Sequence, residues 1–137
     1  MRPFSLAILE ADSPFYEGPC ISLTVPAIDG SFGVLAGHTN TILAIVPGEL
    51  TFTPPEGPKR IAAVSSGIMI IEGGKVLVLV SSAEKPEEID LNRAAAAAHE
   101  AQEALLHKQS RQEYKLTQAN LARATSRIRV KEHFKEN

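Results

Sequence analysis

The sequence predicts a β-sandwich of short strands followed by an α-helical hairpin. Up to about residue 85 the chain is rich in β-branched residues and is interrupted at short intervals by Gly and Pro. After Pro86 neither Gly nor Pro occurs again, and Ala, Gln, Glu, Lys and Arg dominate. Strand chemistry thus gives way to helix chemistry. The change falls within Ala83–Ala94, where Pro86 can neither pair in a ladder nor sit inside a helix. The chain divides there into a sandwich over residues 1–85 and a two-helix domain over residues 86–137.

Phe4, Leu6 and Ile8 alternate with Ser5 and Ala7, which reads as a half-buried strand ending in a turn at Asp12–Pro14. Cys20–Val25 alternates again, and Pro26–Gly30 turns it into a short strand at Ser31–Leu35. Ile42–Val46 and Glu49–Thr53 flank the turn signal Pro47-Gly48. After the Pro-rich loop Pro54–Pro58 come Arg60–Val64, Gly67–Ile71 and Lys75–Ser81. The last two are joined by Glu72-Gly73-Gly74, a tight hairpin connection. Val76, Val78 and Val80 oppose Leu77 and Leu79, which predicts a strand buried on both faces. Eight or more such strands with no βαβ rhythm indicate a sandwich or barrel.

Asp90 is placed to N-cap the first helix, whose Leu91, Ala94, Ala95, Ala98, Ala101 and Leu105 share a face of small residues. Ser110 is placed to cap the second, with Glu113 three residues on. Tyr114, Thr117, Leu121, Ala124 and Ile128 form a narrow seam there. Each helix is expected to run roughly 30 Å. So thin a seam permits a closed hairpin or an extended pair, and both stay open.

The chain has 137 residues, no Trp, a single cysteine and a net charge of −2. That balance excludes nucleic-acid binding driven by bulk electrostatics, and Cys20 alone makes neither a disulfide framework nor a metal cluster. Charge is unevenly spread: residues 1–85 stand at −3, 86–109 at −3 and 110–137 at +4. A basic tail on an acidic body points to an acidic or anionic partner. The opening residues lack a signal-peptide core, and no apolar run approaches the roughly 20 residues that span a bilayer. The expectation is a soluble, cytoplasmic chain that meets a membrane only through a partner.

His38, Asp29 and Ser31 do not make a catalytic triad, because all three sit in turn-rich sequence without a nucleophile elbow. Gly30, Gly33 and Gly37 fit neither nucleotide fingerprint. His99, His107 and His133 are expected on solvated helix surface. Arg123 and Arg127, four residues apart and followed by Arg129 and Lys131, form a basic face. Such a face is either simply solvated or marks an anion site or an acidic protein surface. In an antiparallel hairpin Arg123 and Arg127 return towards Asp90 and Arg93, so three arginines could converge on phosphates. This basic face is expected to gain acidic contacts only when the tail is extended.

Three segments resemble the epsilon subunit of bacterial F-type ATP synthase. Gly30-Ser31-Phe32-Gly33-Val34-Leu35-Ala36-Gly37-His38 is similar to the family's glycine–leucine–proline–glycine–histidine segment. Gly67–Ala83 resembles its glycine-started strand and hairpin, and Ala83-Glu84, Glu88-Ile89-Asp90 and Arg93-Ala94 resemble the third segment. Ala36 stands where proline is usual and Asn40 near another common proline, departures that bear on loop rigidity.

The resemblance implies a ten-stranded sandwich and a non-catalytic rotor subunit of the central stalk. It implies partners in the gamma subunit and the c-ring, with Gly30, Ser31, Phe32, Gly33 and His38 in the contact loop. The implied location is the cytoplasmic face of the bacterial inner membrane, reached only through the complex. It further implies a mobile helical tail that restrains ATP hydrolysis by contacting the alpha and beta subunits, here through Arg123, Arg127, Arg129 and Lys131. No cofactor is required. ATP is a candidate regulatory ligand, since some members bind it in the folded hairpin. The matching positions are Glu84, Ile89, Asp90, Arg93, Ala94, Arg123 and Arg127. Glu100 replaces an arginine expected in the first helix, a loss of about 1.5–3 kcal/mol for one charged hydrogen bond.

Overall fold

The computed structural model describes residues 2–11, 13–107 and 110–136. The strands are β1 (Phe4–Glu10), β2 (Ser13–Cys20), β3 (Ser22–Ala27), β4 (Gly30–Val34) and β5 (Thr41–Ile45). They continue as β6 (Gly48–Thr53), β7 (Arg60–Val64), β8 (Gly67–Glu72), β9 (Lys75–Val80) and β10 (Ala83–Glu84). A 3-10 turn at Pro86–Glu88 leads into α1 (Leu91–Leu105) and α2 (Arg111–Glu136). The strands make two sheets, ordered β2-β1-β9-β8-β5 and β10-β7-β6-β3-β4. Sandwich and hairpin are therefore as the sequence predicts. All pairings are antiparallel except β1 with β9.

Period-two alternation turns one face of each sheet inward. Leu6 and Ile8 of β1, Val76 and Val78 of β9, and Met69 of β8 meet Leu23, Val25, Leu50, Phe52 and Val64 in one buried cluster. Each large side chain so buried contributes about 1.5–3 kcal/mol. Every member of this cluster lies between Phe4 and Ala83, so the core closes without the helices. In the β8–β9 connection, Gly73 and Gly74 both have positive φ, 59° and 78°, as a two-residue hairpin turn requires. At Gly67 an added Cβ would lie 1.9 Å from the Leu79 carbonyl oxygen, so only glycine lets β8 approach β9 there.

Several expectations need correction. A strand over residues 13–20 replaces the turn read at Ser13 and Pro14, while Asp12 lies outside the described residues. Pro14 and Pro19 are tolerated because β2 is an edge strand bonded only to β1. Within this chain β9 is not buried on both faces. Leu77 and Leu79 are only partly buried, and the rows Ile42–Ile70–Leu77 and Ala44–Ile68–Leu79 run across the outside of the first sheet. Ile42 and Ile68 are 76% and 39% exposed. The helices are also unequal, with 15 and 26 residues, or about 22 and 39 Å at 1.5 Å per residue. Asn40 supplies by hydrogen bonding some of the order that proline would have lent: its Oδ1 accepts from Gly73 N–H at 3.1 Å.

Candidate functional site

The two helices begin where local chemistry says they should. Asp90 Oδ1 accepts from Arg93 N–H at 3.1 Å, and Ser110 Oγ accepts from Glu113 N–H at 3.1 Å. Pro86 opens the linker turn with Lys85 extended before it. The linker and α1 fold α2 back over β6 and β7, on the outer side of the second sheet. One face of α2 meets α1, where Ala94, Ala101 and Ala124 are buried, while Tyr114 is 42% exposed and adds little to the seam.

A second face of α2, not visible in its apolar pattern, meets the sandwich. Glu49, Ala63 and Glu84 are neighbours in one cross-strand row on β6, β7 and β10. Along α2 that row is matched in turn. Arg127 Nε donates to Glu84 Oε1 at 2.6 Å, Val130 is fully buried with Ala63, Ile61 and Ile89, and His133 Nδ1 lies 2.9 Å from Glu49 Oε2. Three helical residues rise about 4.5 Å, close to the roughly 4.8 Å between strands, so each three-residue step meets the next strand. Lys131 Nζ also donates to the Pro86 carbonyl oxygen at 2.9 Å. The seat is small and polar. Its other buried α2 residue, Ser126, has a hydroxyl with no hydrogen-bond partner among the described residues.

This geometry revises the reading of the basic face. Arg127 already has an acidic partner in the folded hairpin, so that face does not wait for extension to find one. Arg123 bonds Asn120 on its own helix. The expected convergence is divided between two cavities. Glu84, Ile89, Asp90, Arg93, Ala94 and Arg127 line one of about 500 Å³, together with Glu88. Arg123 and Glu100 line a neighbouring one of about 360 Å³, which Arg127 also borders. Arg129 is exposed beside the first helix's end, lining a shallow groove with Leu105 and Leu121. His133 is an inter-domain contact rather than solvated surface, whereas His99 is exposed near Glu103.

At the opposite edge, Gly30, Ser31, Phe32 and Gly33 belong to edge strand β4, and His38 packs edge-on against Phe32 with ring centroids 5.4 Å apart. Ile28, at the β3–β4 turn, is 85% exposed and Leu35 is 51% exposed. Sequence reading picked out the segment but passed over these two apolar tips. Among the described residues no three His, Cys, Asp or Glu side chains converge as a metal site, and no helix is long and apolar enough to cross a membrane.

Residues 3–86 match the family model described as ATP synthase, Delta/Epsilon chain, beta-sandwich domain, and residues 87–132 match its long alpha-helix domain. An ATP synthase epsilon chain of Ruminiclostridium cellulolyticum is 39% identical over 93% of this chain and 95% of its own length. That of Caldicellulosiruptor saccharolyticus is 36% identical over 95% and 94%. A chain in the cryo-EM structure of Euglena gracilis mitochondrial ATP synthase shares the fold at a TM-score of 0.71 and 24% identity, covering 98% of this chain and 80% of that one. A chain from the central stalk and c-ring of Tetrahymena thermophila mitochondrial ATP synthase shares it at 0.71 and 8%, covering 93% and 95%. With both domain models matched in order and relatives above 30% identity along nearly the whole length, the chain belongs to the family of ATP synthase epsilon chains.

Proposed function

We propose that the chain is a non-catalytic rotor subunit whose sandwich binds the gamma subunit and the c-ring, and whose helices restrain ATP hydrolysis when they leave the sandwich for the alpha and beta subunits. The observation that carries this reading is the contrast between a closed core and a slight seat. The main core contains no residue of α1 or α2, and α2 contributes one fully buried large side chain, Val130, to the second cluster. Burying it favours docking by about 1.5–3 kcal/mol, and the unsatisfied Ser126 hydroxyl opposes docking by about 1–3 kcal/mol. The partly buried Arg127–Glu84 ion pair, with side chains 35% and 25% exposed, adds a modest contribution. Such a tail can leave at modest cost, and Arg123, Arg127, Arg129 and Lys131 then face an acidic surface.

The apolar rows on the outside of the first sheet, with Ile42 and Ile68 exposed, are a surface suited to the gamma subunit. The β4 edge with Gly30, Ser31, Phe32, Gly33 and His38, flanked by exposed Ile28 and Leu35, suits the c-ring. The subunit would then work at the cytoplasmic face of the bacterial inner membrane. The test is the ATPase rate of the assembled enzyme with and without residues 86–137. Equal rates would remove the inhibitory role.

A second reading adds ATP as a regulatory ligand of the closed hairpin, because Glu84, Ile89, Asp90, Arg93, Ala94 and Arg127 do share one cavity. Its lining also holds three carboxylates against two guanidinium groups, and Arg127 is engaged by Glu84. A triphosphate entering there must displace Glu84 from Arg127. Titration calorimetry with ATP tests this, and Glu84→Gln should tighten binding if the reading is right.

A further inference from the structure

We propose that the cleft between the C-terminal end of α2 and the sandwich is a binding site for a small aromatic anion, and that its occupant holds the tail docked. The cleft encloses about 810 Å³ and lies outside the cavities around Asp90 and Glu100. That volume suits a small-molecule ligand. Its apolar surface is supplied by Phe15 and Phe52 of the sandwich, Pro58 before β7, Ile61 on β7, and Phe134 of α2.

The charged rim is lopsided. Lys59, Arg60 and Lys85 stand against Glu87, a local excess of two positive charges on a domain whose own sequence sums to −3. Among the described residues no carboxylate lies within ion-pair distance of those three cations, and the nearby Glu49 is occupied by His133. Arg60 is held in place: its guanidinium carbon lies 5.6 Å from the Tyr16 ring centroid and 5.9 Å from that of Phe52, whose rings pack 4.7 Å apart. A guanidinium stacked on two rings at the edge of a cleft is suited to an oxyanion there. Apolar walls beside a fixed cation select an aromatic body bearing a sulfonate, carboxylate or phosphate.

The cleft is assembled from both domains. The sandwich gives Phe15, Phe52 and Arg60, whereas Lys85 comes from the linker and Phe134 from α2. A ligand touching both sides binds the docked form alone and shifts the equilibrium towards it. This coupling rests on the releasable tail proposed above; the binding site itself does not.

The probe is 1-anilinonaphthalene-8-sulfonate, with its uncharged parent N-phenyl-1-naphthylamine as control, added to the isotopically labelled full-length chain. The expected result is one bound molecule per chain, with amide shifts confined to the surroundings of Phe15, Phe52, Arg60, Lys85 and Phe134. The neutral parent should bind about tenfold or more weakly, as should the sulfonate to a Lys59→Gln, Lys85→Gln double variant. That double variant spares the ring stack under Arg60; Arg60→Met is the second arm. Equal affinity of the neutral parent, unchanged affinity of both variants, or shifts centred on Ile42 and Ile68 would overturn the site. Saturating sulfonate should slow amide exchange in residues 124–134 at least several-fold. Binding at the named residues with unchanged exchange would overturn the coupling, and neither outcome depends on whether the tail inhibits the assembled enzyme.

Discussion

Val130→Ala isolates the docking of the tail from the stability of the sandwich. Val130 is fully buried against Ala63, Ile61 and Ile89 and touches none of the main core. Removing two methyl groups forfeits about 0.8 kcal/mol each, and with a residual cavity the loss is about 2 kcal/mol. At roughly 1.4 kcal/mol per factor of ten, the ratio of undocked to docked tails should rise about 30-fold. Amide exchange across residues 124–134 should quicken by a similar factor, while exchange in β1, β8 and β9 stays as it was. In the assembled enzyme the same substitution should lower the ATPase rate, because more tails are available to the catalytic subunits. If exchange in α2 is unaltered, or if the sandwich strands quicken equally, the seat is not the separate and slight contact described above.

A chain ending at Lys85 should fold, giving β-sheet circular dichroism and cooperative melting; a disordered spectrum would show that α2 is part of the folding unit. Replacing Arg123 and Arg127 together by Ala should weaken inhibition of hydrolysis in the assembled enzyme at least several-fold. Inhibition equal to the parent's would mean that the basic face is only solvated. Glu100→Arg, which brings a cation beside Arg123 in their shared cavity, should tighten ATP binding by about tenfold or more, as read by calorimetry, with inhibition nearly unchanged. Burial pushes the Cys20 thiol above its ordinary value of 9.0. The unfolded chain therefore loses that proton first, and stability should fall as pH rises through 9 and onwards, an effect absent from Cys20→Ala. Thiol reagents at neutral pH should label Cys20 only at the rate of unfolding.

Most of the fold was legible because it is written locally. Alternation in β3, β8 and β9, the paired glycines at 73 and 74, and the caps at Asp90 and Ser110 each act within a few residues. β2 was illegible because two prolines and a glycine interrupt its pattern, and only its position at the sheet edge makes them harmless. β10 has two residues and no pattern to read. The candidate site was half legible. Asp90, Arg93 and Arg127 do approach one cavity, but the ion pair to Glu84 spans 43 residues and the His133–Glu49 contact spans 84. Such pairings depend on where α2 crosses the sheet, which no periodicity in a polar helix reveals. Ser126, Val130 and His133 recur at helical spacing, and that faint stripe was the available signal.

The match between helix rise and strand spacing has a consequence for how the tail lets go. Move α2 along its axis by one strand and Val130 lands on the Glu84 carboxylate while His133 takes the place over Ala63. Move it the other way and the Arg127 guanidinium covers Ala63 while Val130 faces Glu49. Each displaced placement sets a charged or polar side chain against hydrocarbon at two places in the row. There is accordingly one resting position and no ladder of intermediate stops along the sheet. The tail should act as a digital element, seated or gone, so that its regulatory output is the fraction of time spent away from the sandwich rather than a graded distance travelled along it.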